Sequence, residues 1–94
     1  GYIEHAGTRY PIDDKNATTL AFTVADALVE GRGFLVELST QGGAVYIPMG
    51  LGAVATIVDE ADTPSHGGDD ALRKMRVAAR AGFVELDADD WSDS

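Results

Sequence analysis

The chain has 94 residues, of which 45% are hydrophobic and 24% are charged, as in an ordinary folded domain. This length allows one domain, and a wholly disordered chain would be poorer in apolar residues. No apolar run reaches the length of about 18 residues that a membrane-spanning helix needs. The absence of cysteine excludes a disulfide framework and any thiolate metal site.

The net charge of the chain limits the kinds of partner that we expect it to bind. Sixteen acidic residues oppose seven basic ones and give a net charge of −9. Such a surface disfavours contact with nucleic-acid phosphates and with anionic membranes. It suits solubility alone, a basic protein partner, or mimicry of nucleic-acid charge.

Frequent Ala and Gly, with more Arg than Lys, reflect GC-rich codons and favour a high-GC bacterium or its phage as the source. No basic segment precedes an apolar run as in a signal peptide, so we expect a cytoplasmic protein.

The first elements in chain order are a hairpin and a helix. Two short strands are predicted around a turn at Gly7, and Pro11 places the second strand at a sheet edge or near its own end. A helix is predicted over residues 19–30, because apolar residues recur every four positions from Leu20 to Leu28. A Gly-Arg-Gly segment then ends the helix.

Three strands are predicted next. Residues 34–38 alternate apolar and other side chains, and residues 44–47 return after a Gln-Gly-Gly turn, with Pro48 ending that strand. Residues 53–58 form the third strand, which carries no charged residue. An uncharged strand of this kind is typical of a sheet centre or of an interface.

The remaining sequence changes in character. Residues 63–70 are rich in Pro, Gly and Asp and predict a linker. A second helix is predicted over 71–81, residues 83–86 are a candidate short strand, and an acidic tail with one tryptophan follows. The predicted organisation is an α+β core over 1–62, the linker, and a basic-faced helix with its acidic tail over 71–94.

These elements predict an α+β fold in the order β-β-α-β-β-β-α, with a short C-terminal strand as an option. One antiparallel sheet would pack the first helix on one face. The second helix would cover the other face, an edge, or a neighbouring subunit.

No motif predicts a catalytic, cofactor-binding or metal-binding residue. The helicase-like tetrapeptide at residues 59–62 lacks any accompanying phosphate-binding loop. His66 stands beside acidic residues, but one histidine with mobile carboxylates is a poor metal site. No serine lies in a Gly-x-Ser-x-Gly setting. We therefore expect a protein that is not an enzyme and that has no cofactor.

The residues that stand out are candidates for protein interaction. Three basic residues share one face of the second helix at spacings of three and four, which favours either a solvated face or a docking helix. Several apolar side chains exceed the needs of one small core, and Met and Trp are enriched in interfaces. The interaction candidates are Tyr46, Met49, Leu51, Arg73, Arg76, Arg80 and Trp91.

Two hypotheses follow from these candidates. The uncharged strand 53–58, with Met49 and Leu51 beside it, predicts self-association, most simply as a homodimer. Residues 63–94 would form a separable docking arm, in which the acidic tail masks the basic helix face until a partner competes for it.

A resemblance covers residues 2–60. Its motifs are Ala25-Asp-Ala-Leu-Val-Glu-Gly31, Leu35-Val-Glu-Leu-Ser-Thr-Gln-Gly-Gly43, Val45-Tyr-Ile-Pro48 and Val54-Ala-Thr-Ile-Val-Asp-Glu60. In order and pattern this stretch resembles a family of small actinobacterial proteins of unknown function. The resemblance implies a small α+β fold and carries no catalytic residues.

The sequence thus predicts a small acidic protein with a regulatory or protein–protein interaction role and no enzymatic activity. The alternative is an acidic inhibitor or nucleic-acid mimic of phage, antitoxin or immunity type. That protein would block the basic site of a nucleic-acid-binding protein or toxin.

Overall fold

The computed structural model describes residues 1–63 and 65–88. Neither helix in this part of the chain is both long and apolar enough to cross a membrane. In chain order the elements are β1 (Tyr2–His5), β2 (Thr8–Pro11), α1 (Asp14–Val29), β3 (Gly33–Thr40), β4 (Gly43–Gly50), β5 (Thr56–Val58), α2 (Asp69–Arg80) and β6 (Phe83–Asp87).

The strands form two three-stranded sheets. Sheet A has the order β2-β1-β5, and sheet B has the order β4-β3-β6. The α+β class and the order of elements are confirmed, including the optional last strand. The single antiparallel sheet was wrong, because β5 pairs with β1 in one sheet and β6 pairs with β3 in the other. This last pairing is parallel, with Val36 opposite Val84.

Helix α1 begins five residues before its predicted start. Asp13 caps it by accepting a hydrogen bond from the backbone N–H of Lys15 at 2.7 Å. It contains Thr18, Thr19 and Thr23, and threonines normally weaken a helix. Here the hydroxyls of Thr19 and Thr23 donate to the carbonyls four residues earlier, at 2.7 and 2.8 Å. Both side chains are buried, so the helix continues through this polar segment.

Strand β4 continues through Pro48, contrary to expectation. Pro48 lies opposite Leu35, and the Leu35 N–H donates to the carbonyl of Gly82 at 2.9 Å. Leu35 therefore directs its backbone groups toward β6, and Pro48 points its nitrogen toward the open edge of sheet B. A proline that faces an open edge costs the ladder no hydrogen bond. Pro11 also lies in an edge strand, β2, which confirms that expectation.

Strand β5 is shorter and less central than predicted. It spans three residues at the edge of sheet A. Before it, Leu51 and Gly52 form a turn, residues 53–55 are irregular, and Val54 is 84% exposed. Of the strand predicted over 53–58, only residues 56–58 form a strand, and its predicted place at a sheet centre was wrong.

One hydrophobic core joins both halves of the chain. Helix α2 begins at Asp69 and packs against α1 and β6. Ala79, Val84 and Ala88 are each at most 6% exposed within that core. Residues 71–88 are therefore not a separable docking arm, and the boundary between a core of 1–62 and a segment of 71–94 cuts through sheet B. The other buried apolar residues are Ile3, Ile12, Ala17, Leu20, Ala27, Phe34, Val36, Leu38, Ile47 and Met49.

Gly50 marks the closest approach of two backbones. Its φ is +87°, and a Cβ there would lie 2.6 Å from the carbonyl oxygen of Arg32. The N–H of Leu51 donates to that same carbonyl at 3.0 Å. Only glycine fits this junction between β4 and the start of β3.

Candidate interaction surfaces

The basic residues of α2 chiefly serve contacts within the chain. The Arg80 guanidinium lies 3.5 Å from Asp26 Oδ2 and 3.6 Å from Glu30 Oε1, both on α1. Arg76 Nε lies 4.0 Å from the same Asp26 oxygen and is buried without a hydrogen-bond partner. These pairs hold the polar side of the interface between α1 and α2.

Arg73 differs from the other two. It pairs with Asp70 one turn earlier on α2, as does Lys74 at 3.2 Å. These cations, led by the Arg73 hydrogen bond, hold the pKa of the Asp70 carboxyl below its ordinary value. Two of the three predicted docking cations thus pair with α1 and the third pairs on its own helix, while all three line one groove along α2.

The outer face of sheet B exposes several side chains among the described residues. Strands alternate their side chains between two faces: Val36 and Leu38 enter the core, while Leu35 points outward. At one end of this face, Leu35, Tyr46 and Phe83 are 39%, 54% and 39% exposed. The rings of Tyr46 and Phe83 lie 6.3 Å apart between centroids. This end forms an apolar and aromatic surface across three strands.

The other end of the same face is acidic. Glu37 lies opposite Glu85, and Ser39 lies opposite Asp87, so three carboxylates point outward from neighbouring positions. The Tyr46 hydroxyl donates to Glu37 Oε1 at 3.1 Å. This hydrogen bond, with the nearby negative charge, raises the pKa of Tyr46. The predicted interaction residue Tyr46 therefore joins the aromatic end of the face to its acidic end.

A second surface lies between α1 and the chain around β5. It is a groove of about 480 Å³. Leu28 lines it and is 49% exposed, whereas Leu51 and Val54 do not line it but directly adjoin lining residues in the chain and are 63% and 84% exposed. We call these three side chains and the groove the groove face. The lining residues are Ala21, Val24, Leu28, Met49, Gly50, Gly52, Ala53, Ala55, Thr56 and Ile57.

Two of the predicted apolar candidates are placed differently. Leu51 is exposed on the groove face, as expected for an interaction residue. Met49 is 3% exposed, because β4 continues past Pro48 and turns Met49 inward with Ile47, so this interaction candidate belongs to the hydrophobic core. Trp91 lies outside the described residues.

Sequence reasoning missed most of the outer face of sheet B. Leu35, Glu37 and Phe83 were read only as members of strands. The usable signal was the period of two: once Phe34, Val36 and Leu38 are assigned to the core, the residues between them face outward. Glu37 and Glu85 lie side by side because β3 pairs in parallel with β6, and no local sequence pattern predicts that pairing.

His66 is part of a local packing arrangement. Its Nδ1 accepts a hydrogen bond from the Gly68 N–H at 3.0 Å, and its ring packs edge-on against Phe22 at 5.8 Å. Within residues 1–63 and 65–88, no three His, Asp or Glu side chains are grouped to hold a metal ion.

Comparisons with family models, curated proteins and solved structures found no match to this chain. The resemblance to small actinobacterial proteins therefore stays a prediction.

Proposed function

We propose that this chain is a non-enzymatic protein–protein interaction protein that associates with itself through the groove face. The observation that carries the proposal is an apolar groove that includes Leu28, together with the exposed Leu51 and Val54, which alternate along the chain with residues that line the groove. An exposed apolar patch of this kind marks an interaction surface more often than an ordinary part of the surface.

A dimer with two-fold symmetry could form through this surface alone. In a symmetric dimer the same patch serves both copies, so Val54 of each copy would enter the groove of the other. Fully burying one Leu or Val side chain contributes about 1.5–3 kcal/mol. Several such side chains on each copy are needed to offset the entropy lost on association, which is on the order of 4–15 kcal/mol. We therefore expect a dimer at tens of micromolar rather than a tight complex.

The test is sedimentation equilibrium over a range of protein concentrations. We expect a monomer–dimer equilibrium for the wild-type chain and a monomer for Val54→Asp, because a carboxylate cannot be buried in an apolar groove without a partner. Val77→Asp is the matched control, since Val77 is 57% exposed and lies on α2, in a different groove with Arg73 and Arg76. A wild-type chain that stays monomeric at tens of micromolar contradicts the proposal.

A second candidate function is favoured by the acidic end of sheet B. An inhibitor of a basic protein needs carboxylates held on a rigid face, and Glu37, Glu85 and Asp87 lie together on paired strands. The test is retention of the triple variant Glu37→Gln, Glu85→Gln, Asp87→Asn on a partner captured by the wild-type chain. An inhibitor predicts a basic partner that the triple variant loses.

A further inference from the structure

Strand β6 presents an open edge. In a β-strand, alternate residues direct their backbone groups toward the same neighbour. The carbonyl of Gly82 and the N–H of Ala88 bond to β3 at 2.9 and 2.8 Å, so even-numbered residues from 82 to 88 face β3. The N–H and C=O groups of Phe83, Glu85 and Asp87 therefore point away from the sheet. No strand among residues 1–63 and 65–88 pairs with this edge.

A groove runs beside this open edge. It lies between α2 and β6, has a volume of about 390 Å³, and includes the apolar side chains of Met75, Ala78, Phe83 and Val84. An edge strand next to a helix is the arrangement in which an extended peptide can add to a sheet. The new strand gains backbone hydrogen bonds from the edge, and its alternate side chains enter pockets against the helix.

The charge beside the edge selects the kind of peptide. A strand added to β6 would place half of its side chains on the outer face of sheet B, next to Glu85 and Asp87. Glu37 stands behind Glu85 in the register, and the outward positions of β3, β4 and β6 hold no Lys or Arg. On the α2 side of the groove, Lys74 is paired with Asp70 at 3.2 Å. This pairing reduces the repulsion between Lys74 and a basic residue of the peptide.

We propose that the edge of β6 binds an extended basic segment of a partner protein as an added strand. Its apolar residues face α2, and its Lys or Arg residues face Glu85 and Asp87. The edge of β6 does not belong to the groove face used for self-association. The monomeric variant Val54→Asp should therefore bind the same peptide as the wild type, which separates a failure here from a failure of the proposed function.

The first test uses two labelled peptides of about seven residues, the length of an ordinary strand. One alternates lysine with valine, and the other alternates glutamate with valine. Fluorescence anisotropy should show saturable binding of the lysine peptide and at least about tenfold weaker binding of the glutamate peptide, because like charges repel across the face. Equal affinity for the two peptides, or no binding of either, overturns the proposal.

The second test locates the peptide without any variant. Hydrogen exchange followed by NMR should show slower exchange at the amides of Phe83, Glu85 and Asp87 when the lysine peptide is bound. These are the donors that an added strand would engage. Binding that leaves these amides unprotected overturns strand addition.

Two substitutions at Glu85 separate the contribution of its backbone N–H to peptide binding from that of its carboxylate. Glu85→Gln removes the carboxylate and keeps the outward N–H, whereas Glu85→Pro removes both and leaves the bonds to β3 intact. We expect Glu85→Gln to weaken the affinity for the lysine peptide a few-fold. Glu85→Pro should weaken it by about a further tenfold, the equivalent of one hydrogen bond. If the Pro variant does not fold, Ala78→Phe fills the α2–β6 groove and should weaken binding instead. Unchanged binding in the folded variants contradicts the proposal.

Discussion

The Arg80 guanidinium lies 3.5 Å from the carboxylate of Asp26, across the interface between α2 and α1. Both side chains are partly exposed, and such pairs contribute about 0–1 kcal/mol. Asp26 also neighbours the buried Nε of Arg76. The substitution Asp26→Ala therefore removes the carboxylate that Arg76 and Arg80 share. We expect this variant to lose about 1–2 kcal/mol of unfolding free energy in urea denaturation at low salt.

The control for that measurement is Asp62→Ala. Asp62 is exposed, and its replacement should change stability by less than about 0.5 kcal/mol. Equal effects of the two substitutions would mean that the pairing of Arg80 and Arg76 with α1 does not stabilise the helix pair.

Strand β6 is predicted to be necessary for folding. Val84 is 2% exposed and lies opposite Val36 in sheet B, so Val84→Asp buries a charge in the core. We expect a loss of about 3–5 kcal/mol, measured by thermal circular dichroism, whereas the exposed neighbour substitution Glu85→Gln should be nearly neutral. A folded, fully stable Val84→Asp variant would restore the hypothesis of a separable docking arm.

Two glycines with similar backbone conformations provide a matched comparison. Gly50 and Gly52 have φ of +87° and +79°, but only a Cβ at Gly50 would meet the Arg32 carbonyl; nothing lies within 4 Å at Gly52. Gly52→Ala should cost about 1 kcal/mol for its backbone conformation alone. Gly50→Ala should cost about 3 kcal/mol, because the backbones must also separate. Similar midpoints of urea denaturation for the two variants would contradict the close approach.

Elements with a clear local period could be predicted from the sequence, and those set by long-range pairing could not. The alternation of Phe34, Val36 and Leu38 identified β3, and the stripe through Leu20 identified α1. The first turn of α1 was missed because residues 13–19 are polar and were interpreted as a capping segment; in the structure Asp13 is the cap, and Ala17 and Thr18 are buried. Tertiary burial therefore overrides local propensity there.

The candidate surfaces were predictable only in part. Met49 follows Val45 and Ile47 at a period of two, a signal outweighed by the expectation that Pro48 ends the strand. The arrangement of Pro48 at an open edge depends on which way Leu35 directs its N–H, and this depends on β6. Likewise, the pairing of Arg80 with Asp26 joins residues 54 positions apart, which no local pattern indicates.

Acid sensitivity is expected at the junction of α1 with the chain after β5. The Thr18 hydroxyl donates to the Asp59 carboxylate. This bond and the Ala61 N–H hold the pKa of Asp59 below its ordinary value. A lowered pKa in the folded state contributes stability that is present above the unfolded pKa of about 4 and is lost as the pH falls through the folded value.

The variant Thr18→Val removes that hydroxyl while keeping the shape of the side chain. We expect its unfolding free energy to depend less steeply on pH below about 4 than that of the wild type, as measured by urea denaturation from pH 2 to 6. Parallel pH profiles for the two chains would show that the Thr18 bond does not perturb Asp59.

The most direct test of the central claim, self-association through the groove face, uses the absence of cysteine from the chain. One variant carries Val54→Cys and a second carries Leu28→Cys; the two are mixed under mild oxidation and analysed by non-reducing electrophoresis and mass spectrometry. If Val54 of one copy enters the groove of the other, the mixed disulfide should form faster than between Val54→Cys and the control Val77→Cys. Equal rates for the two mixtures would contradict association through the groove face.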